Sequence, residues 1–411
     1  MRMRAEEIHA VVLGLVPPGL NVVRELGKAG VPVCGVAQKG LGEVGRYSRY
    51  LKRCIEYGDW NELLEKLVAF SAGQADRPVL IPTSDQYVFF IADHFTRLSR
   101  YFVFQNSYRP DQVAMTVDKR NLYQSLAVHG IPYPKTWFFD ANNSAAPKPN
   151  ATCYPVIAKP RLIHEKKAVM GSRKVCLIHS SDELAAFRDR FRGELADWML
   201  QEIIPGPPSN LVMFLGYLDG NSRLRASFTC RKIRQFPRNF GVGSLLVSER
   251  IPEIVQLSVK YLRAIGYQGI GEIEFKFDHR DGVYKMMDLN PRPPLFASMA
   301  PAAGVRINVC AFDDMTGTSG NADDTTDQRE NVCWRHLEFD LWARIRTALG
   351  RDREGADASV LEMPGRRKPS RGTSGPIWDA TDMLPVFHLP LFHLRRKMRS
   401  RRARLAKSFA T

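Results

Sequence analysis

Oxygen-bearing side chains are concentrated in the stretch from Gly271 to Pro294, which is predicted to form a β-hairpin. Glu274 lies on the first strand, while Asp288 and Asn290, two residues apart on the second, project to a common face. Two carboxylates and an amide oxygen brought together in this way are hard ligands that suit Mg²⁺ bridging nucleotide phosphates. Arg292 follows and could clamp an anion. A solvated acidic face on an ordinary hairpin is the alternative interpretation.

This convergence depends on the register of the hairpin. The glycine that ends the predicted loop 280–282 tolerates the positive φ that a tight turn requires. This loop pairs His279 with Val283. The same register then places Glu274 opposite Asp288, so that the carboxylates meet across the two strands.

Lysines that could neutralise phosphate oxygens occur earlier in the chain. Lys159 ends the buried strand of YPVIAKPR, where an anion would have to receive the charge, unless the side chain extends to the surface. Lys119 begins a predicted helix in DKRNLY, where it would otherwise be an ordinary exposed lysine. Lys232 lies close to Arg231 and Arg234, and such a cluster could bind phosphate or a carboxylate, or form a solvated strand face.

The residues before the first of these lysines alternate strands with helices, which predicts a parallel α/β sheet. The loop Thr83–Asp85 follows the predicted strand Val79–Ile81, at the end where open α/β sheets place ligands. Its residues could contact a substrate or cap the next helix. Pro17 and Pro18 lie where a GxGxxG loop would be needed, so we discount a nicotinamide cofactor.

The hairpin resembles the metal-binding end of the ATP-grasp superfamily, which has an acidic residue on one strand, then acid-x-Asn and an arginine on the next. The residues at those four positions are Glu274, Asp288, Asn290 and Arg292. The runs VLIPTSDQYVFFIADHF, DKRNLYQSLAVHGIPYPKT and RKIRQFP look most like the carboxylate–amine ligase branch that includes D-aspartate ligase. The resemblance extends over residues 10 to about 309.

The resemblance implies a fold of mixed α/β and α+β class. A parallel, Rossmann-like α/β domain of the pre-ATP-grasp type is expected first, followed by a two-lobed ATP-grasp domain and a C-terminal extension. A change to Asp, Thr, Gly and Ser at residue 313 indicates a flexible insertion. The expected units are the first domain at 1–112, lobe A at 113–195, lobe B with the metal-binding hairpin at 196–312, the insertion at 313–330, and the extension with its basic tail at 331–411.

The resemblance further implies ATP as a ligand and Mg²⁺ or Mn²⁺ as the metal. The implied metal ligands are Glu274, Asp288 and Asn290. Lys119 and Lys159 are expected to contact the phosphates. The implied adenine-reading groups are the backbone atoms of Gln201, Glu202 and Ile203.

The implied activity is that of a ligase. A small carboxylate would be activated by ATP as an acyl phosphate and joined to an amine, with release of ADP and phosphate. Arg292 is expected to hold the acyl phosphate, and Lys232 to neutralise the transferring phosphoryl group. A homodimer is a common outcome in the family.

The composition narrows the class of protein. Apolar residues make up 44% of the chain and aromatic residues 10%, which is typical of globular proteins. The sequence contains no run of 18 apolar residues, so a membrane span is not expected. Glu6 and Glu7 interrupt the basic and apolar residues at the start of the chain, so a signal peptide is not expected either. The 7 cysteines show no CxxC spacing, so neither a disulfide framework nor a zinc site is expected, and a reducing cytoplasm fits.

The net charge of +16 is concentrated at the end of the chain, where residues 395–407 include many lysines and arginines and no acidic residue. This basic tail could hold an anionic membrane surface or nucleic acid weakly by charge alone, or remain solvated. The alternative function is therefore a catalytically degenerate ATP-binding sensor or scaffold anchored by this tail.

Overall fold

The computed structural model describes residues 9–139, 154–162, 175–318, 327–349, 373–393 and 395. The predicted basic tail beyond Arg395 and the middle of the predicted insertion lie outside these residues. The helices are Pro17–Lys28, Trp60–Ala72, Asp85–Asp93, Phe95–Leu98, Pro110–Val117, Lys119–Val128, Ser181–Arg190, Pro252–Ala264, Met299–Ala302, Ile307–Thr316, Leu337–Ala348 and the helical residues 384–393. Short 3₁₀ turns lie at Val44–Tyr47, Asn106–Tyr108, Arg192–Asp197 and Pro208–Asn210.

The N-terminal sheet is parallel, as the alternation of strands and helices predicts. Its four strands, in spatial order, are Leu51–Tyr57, Val33–Gln38, Ala10–Leu13 and Val79–Pro82. Val11 and Leu13 enter one hydrophobic core, while Ala10 and Val12 enter another. Both faces of the sheet are therefore covered, which explains why the strand reads as a continuous apolar run.

The small sheet is antiparallel and includes a strand that the predicted lobe boundary sets apart. Its four strands, in spatial order, are Thr136–Phe138, Trp198–Glu202, Val156–Pro160 and Cys176–Ile178. The predicted division at 195/196 falls before Trp198–Glu202, although Trp198 packs with Leu184 and Phe187 in the core of this sheet. Trp198 and Leu200 pack with the helix Ser181–Arg190 that precedes the strand, whereas Met199 packs in the core of the large sheet. The strand therefore pairs within the small sheet and also contacts the large one.

The large sheet has seven strands and carries the hairpin at one edge. In spatial order these are Val283–Asn290, Gly269–Asp278, Leu211–Leu218, Leu224–Phe236, Val242–Ser248, Cys333–Arg335 and Thr373–Ser374. The helix Lys119–Val128 precedes the small sheet in the chain, yet Leu122, Tyr123 and Leu126 pack in the core of the large sheet. This packing brings the first turn of the helix to the hairpin.

The hairpin pairs Glu274 with Asp288, as predicted, but its loop is longer than predicted. Asp278, not His279, pairs with Val283. A β-bulge at Met287 restores the register before the acidic pair, since an extra residue on one strand compensates for the longer loop.

The bulge is held from both sides. The hydroxyl of buried Tyr123 donates to the carbonyl of Met287 at 2.8 Å, and the amide of Met286 donates to the carbonyl of Pro132 at 2.8 Å. The first contact satisfies the carbonyl of Met287, the extra residue, and the second satisfies the amide of its neighbour Met286. Both stabilise the irregular register, since unpaired backbone groups are costly.

The predicted insertion and extension are only partly separate from the rest of the protein. The helix Ile307–Thr316 overlaps the start of the predicted insertion at 313. Gln328, near the end of that predicted insertion, is buried and forms hydrogen bonds with Thr229. Residues 373–393 cross from the edge of the large sheet to the N-terminal domain, where Ile377 and Phe392 pack against Leu20. None of the described helices combines the length and hydropathy needed to cross a membrane.

Candidate active site

Lys119 and Asp288 meet at the centre of the site. Asp118 accepts the amide of Arg120 at 2.8 Å as the N-cap of the helix, and its other carboxylate oxygen binds Arg161 at 2.5 Å. The start of the helix is thereby fixed. The buried ammonium group of Lys119 forms an ion pair with Asp288 on the hairpin.

Lys232 makes the corresponding contact with the other carboxylate. Its buried ammonium group lies 3.2 Å from Glu274 Oε1. Arg231, the neighbouring residue, binds both carboxylate oxygens of Glu249 at 2.8 and 2.6 Å. Arg234 forms an ion pair with Asp340. The three clustered cations therefore bind three different acids, and Lys232 is the one that pairs with Glu274. Arg231 and Lys232 point to opposite faces because successive side chains of a strand alternate, and the register is irregular between Lys232 and Arg234.

Lys159 completes a group of three lysines around the hairpin carboxylates. Burial, and then the positive charge of Lys119, lower the pKa of Lys159 to about 8, while Asp288 and Glu274 act in the opposite direction. The side chain thus lies within the electrostatic influence of the two ion pairs, and its contact with phosphates stays a prediction. A cation that burial disfavours is stabilised when an anionic ligand arrives.

Glu272 is a residue to which the sequence analysis gave no role, although it lies two positions from Glu274 on the same face. The amide nitrogen of Asn290 donates to Glu272 Oε2 at 2.5 Å. Burial, and then the nearby charge of Glu274, raise the pKa of Glu272 to about 8. The site therefore holds a third carboxyl group next to the predicted metal ligands. The sequence signal for it was the two-residue spacing between Glu272 and Glu274, which places both on one face of the strand.

Arg292 is tied to the N-terminal domain. Its Nε lies 2.6 Å from Oδ1 of Asp85, and its terminal nitrogen approaches Asn290 Oδ1 at 3.4 Å. Asp85 is the first residue of its helix, and Ser84 at the N-cap position makes no side-chain capping hydrogen bond, so the capping role proposed for this loop is not seen. Asp85 instead links the loop after the parallel sheet to the hairpin through Arg292. Thr83 instead closes the loop by donating to the carbonyls of Leu13 and Gly14.

The predicted adenine-reading residues lie on the central strand of the small sheet and just beyond it. Gln201 is buried and donates to Thr136 Oγ1 at 2.9 Å. The carboxylate of Glu202 accepts the amide of Lys135 at 2.8 Å and binds Arg280 at 3.0 Å, so its side chain is committed to the protein. Ile203 follows the strand. Base recognition by backbone groups here stays a prediction.

Lys276 is a second residue without a predicted role. Its ammonium group donates to the carbonyl of Ile204 at 2.6 Å, directly beyond the strand end. Burial, and then Lys232, lower its pKa to about 8. Lys276 thus links the hairpin strand to the predicted base-reading segment. In the sequence, the available signal was its position two residues after Glu274, on the same face of the strand.

The donor set fits a hard divalent cation in its chemistry. Glu274 and Asp288 oppose each other across the hairpin, and Asn290 adds an amide oxygen. Within the described ranges, no group of three or more His, Cys, Asp and Glu side chains is arranged to hold a metal ion. Mg²⁺ commonly binds through one or two carboxylates together with substrate phosphates, and the predicted set of two carboxylates and an amide oxygen is compatible with that.

The fold is similar to that of solved ligases and carboxylases. Among solved structures, the L-amino acid ligase of Bacillus licheniformis is similar with a TM-score of 0.56 at 12% identity, over 76% of this chain and 75% of that one. The biotin carboxylase domain of the Hydrogenobacter thermophilus 2-oxoglutarate carboxylase, in complex with MgADP, ADP and bicarbonate, is similar with a TM-score of 0.58 at 17% identity, over 80% and 74% of the two chains. At these identities the likeness shows the fold.

A likeness in sequence points to a particular relative. The chain is 25% identical to the D-aspartate ligase of Enterococcus faecium (strain Aus0004) over 224 residues, which is 52% of this chain and 53% of that protein. The match thus spans about half the length of the curated relative. No protein-family model matches the chain. The resemblance to ATP-grasp carboxylate–amine ligases that the sequence predicts is confirmed by these comparisons.

Proposed function

We propose that the protein is an ATP-dependent ligase that activates a small carboxylate as an acyl phosphate and couples it to an amine. One observation carries the proposal: Glu274 and Asp288 oppose each other across the hairpin, and each is paired with a lysine from a different element, Lys232 or Lys119. With Lys159 beside them, the site has the cations and hard oxygen ligands that a triphosphate and Mg²⁺ require.

The proposed roles follow from position and charge. Asp288, Glu274 and Asn290 would hold Mg²⁺, which when bound supplies charge neutralisation to the phosphates. Lys119 and Lys232 would then turn from their carboxylate partners to phosphate oxygens, which Lys159 would also contact. The approach of a triphosphate exchanges one set of charge pairs for another without leaving a charge buried alone.

The chemistry balances with ATP, an acid and an amine as the reactants. A carboxylate oxygen attacks the γ-phosphorus, the bond to the β-phosphate oxygen breaks, and ADP leaves. Arg292 would stabilise the resulting acyl phosphate. The amine nitrogen then attacks the acyl carbon, phosphate leaves, and the nitrogen loses its proton to give an amide. The main contributions of the protein would be positioning and charge stabilisation.

The substitution Asp288→Ala tests the site assignment. We expect ADP release dependent on a carboxylate and an amine to fall by at least about a thousandfold, because the phosphoryl oxygens lose their charge compensation. Asp281→Ala is the matched control, since Asp281 lies in the turn of the same hairpin and is half exposed. Asp288→Asn, of nearly equal size, separates loss of charge from loss of folding. Unchanged turnover in both Asp288 variants would refute the assignment.

A screen of amino acids and small acids, with mass analysis of the condensed product, tests the reaction itself. An amide product with stoichiometric ADP supports the ligase. Nucleotide binding without stimulation by any acid–amine pair would instead support the alternative of a degenerate ATP-binding sensor or scaffold.

A further inference from the structure

The N-terminal domain holds the turn that follows the hairpin at two points. The carboxylate of Asp85 accepts from Nε of Arg292 at 2.6 Å, and the side-chain amide of Asn21 donates to the carbonyl of Leu295 at 3.4 Å. Asp85 and Asn21 belong to two different helices of that domain. The arginine proposed to hold the acyl phosphate is therefore attached to a domain that supplies none of the proposed metal ligands and none of the three lysines.

The position of Asp85 is set by the core of the N-terminal domain. It begins the helix Asp85–Asp93, whose Val88 and Ile91 are buried in that core. Thr83, two residues earlier, donates to two backbone carbonyls at the end of the first strand, at 2.7 and 3.1 Å. The backbone that carries the Asp85 carboxylate is thus fixed by contacts that do not involve the hairpin.

Arg292 has one donor committed to Asp85 and another directed at the hairpin. A guanidinium group is planar and its donors form a rigid fork, so a hydrogen bond at Nε also sets the direction of the terminal nitrogens. One of these nitrogens lies 3.4 Å from Oδ1 of Asn290, a predicted metal ligand. Asp85 therefore orients the end of Arg292 that faces the candidate active site.

Asp85 also stabilises the charge of a largely buried guanidinium group. The side chain of Arg292 is 19% exposed. Burial acts to lower the pKa of Arg292, but Asp85, and then Glu272 and Asp288, outweigh burial and raise that pKa. Asp288 would be shared with Mg²⁺ once a nucleotide is bound, whereas Asp85 lies outside the hairpin and would keep its contact with Arg292.

We propose that Asp85 is a positioning residue, which holds Arg292 in the orientation that stabilises the acyl phosphate. The inference rests on the proposed ligase activity and adds to it a contribution of the N-terminal domain to the chemical step. Asp85 acts through Arg292 and needs no contact with a substrate. The role matters because a displacement of about 1 Å in a group that stabilises the transition state can cost about a hundredfold in rate.

Steady-state kinetics of Asp85→Ala test the proposal, with the acid and amine that give the fastest ADP release. We expect kcat to fall by about tenfold to a hundredfold. The KM for ATP should stay within about twofold, because the lysines and carboxylates proposed to hold the nucleotide make their contacts elsewhere. Asp85→Asn keeps an oxygen that can accept from Nε, so it should lose less. Asp93→Asn is the matched control, since Asp93 is the exposed last residue of the same helix, and its kcat should be unchanged.

A double-mutant cycle separates positioning from a general structural role. Arg292→Lys keeps a cation but removes the rigid fork that a single hydrogen bond can orient. In the Arg292→Lys protein, adding Asp85→Ala should therefore lower kcat by no more than about twofold further. Thermal denaturation shows whether each variant is folded, and Asp85→Asn takes the place of Asp85→Ala in the cycle if the alanine variant is not.

Two results would overturn the proposal. One is a kcat that Asp85→Ala leaves unchanged. The other is a loss of kcat that is equally large in the Arg292→Lys protein, because Asp85 would then act on a substrate or on the fold independently of Arg292. Failure of the proposed ligase activity is seen separately, since the unmodified protein would then show no ADP release that depends on an acid and an amine, and both proposals would fall.

Discussion

Two clusters of carboxylates, one around Asp382 and one in the hairpin, differ in how their charges are satisfied. Asp382, which joins the C-terminal residues to the N-terminal domain, accepts from Arg24 at 2.9 Å, from Ser48 at 2.7 Å and from the amide of Arg49 at 2.9 Å. In the hairpin, by contrast, Glu274 and Asp288 are directly opposed, with Glu272 close enough to feel the charge of both.

The difference separates a structural ion pair from a ligand site. Every partner of Asp382 complements its charge or donates to it, so the cluster is complete within the protein. At the hairpin, carboxylates lie near other carboxylates and lysines lie near other lysines. Burial, and then the charge of Lys119, lower the pKa of Lys159 to about 8. Such an arrangement is stabilised by a ligand that carries charge of both signs, as a metal–triphosphate complex does.

The strongest way to break this comparison is to remove the complete cluster. Asp382→Ala leaves the guanidinium of Arg24 buried without its carboxylate, and we expect the free energy of unfolding to fall by about 3–5 kcal/mol. Chemical denaturation measures the change. The exposed pair of Glu65 with Arg97 is the control, and Glu65→Ala should leave the free energy of unfolding nearly unchanged, since solvent screens such a pair. Equal losses in the two variants would contradict the assignment of Asp382 as a structural anchor.

Glu25 is a buried carboxyl group whose hydrogen-bond donors are all neutral, so its contribution to stability should depend on pH in a way that differs from that of an ion-paired carboxylate. Glu25 accepts from the amide and side chain of Asn308 at 2.8 and 2.7 Å, and burial raises its pKa to about 7 from 4.5. The folded state therefore holds the proton more tightly, and its contribution to stability is lost as pH rises from about 4.5 to about 7.

Denaturation at a series of pH values measures this slope, and Glu25→Gln should flatten it. Glu62 serves as the opposite control: hydrogen bonds from Lys39, then Lys66, lower its pKa to about 2, so its contribution is lost as pH falls below the ordinary value. If Glu25→Gln left the slope between pH 4.5 and 7 unchanged, this account of the buried carboxyl would be wrong.

The substitution Lys159→Met sharpens the ligand side of the comparison. We expect nucleotide affinity to fall about tenfold to a hundredfold, as for loss of a charge-assisted contact, while the free energy of unfolding does not fall, because burial already disfavours the ammonium. Calorimetric titration with ATP and Mg²⁺ and denaturation measure the two effects. Lys260→Met, at an exposed helical position, should change neither. A large loss of stability with unaltered affinity would assign Lys159 a structural role.

The smallest expected effect concerns the bulge. Tyr123→Phe removes the donor to the Met287 carbonyl, and we expect a loss of about 1 kcal/mol in the free energy of unfolding. Tyr133→Phe, whose ring lies 5.6 Å from that of Tyr123, should change it by less than about 0.5 kcal/mol. Indistinguishable denaturation curves for the two variants would show that the hydroxyl contributes nothing to the bulge.

Two features of the structure could be predicted from the sequence. The parallel N-terminal sheet is predicted by apolar runs that alternate with helices, and the pairing of Glu274 with Asp288 is predicted by the turn expected at 280–282. The bulge at Met287 could not be predicted from the sequence. The predicted loop is one residue too short, and the bulge adds one residue to the second strand, so the two differences cancel before the acidic pair.

The pairing of each cation with its carboxylate could not be predicted from the sequence, because it depends on how distant elements pack. The partners Lys119 and Asp288 are 169 residues apart, and Asp85 and Arg292 are 207 apart, so no periodicity links them. The sequence placed Arg231, Lys232 and Arg234 in one cluster, whereas packing sends each to a different acid. Long-range contacts of this kind depend on how helices and sheets dock, and docking follows from shape and burial summed over many residues.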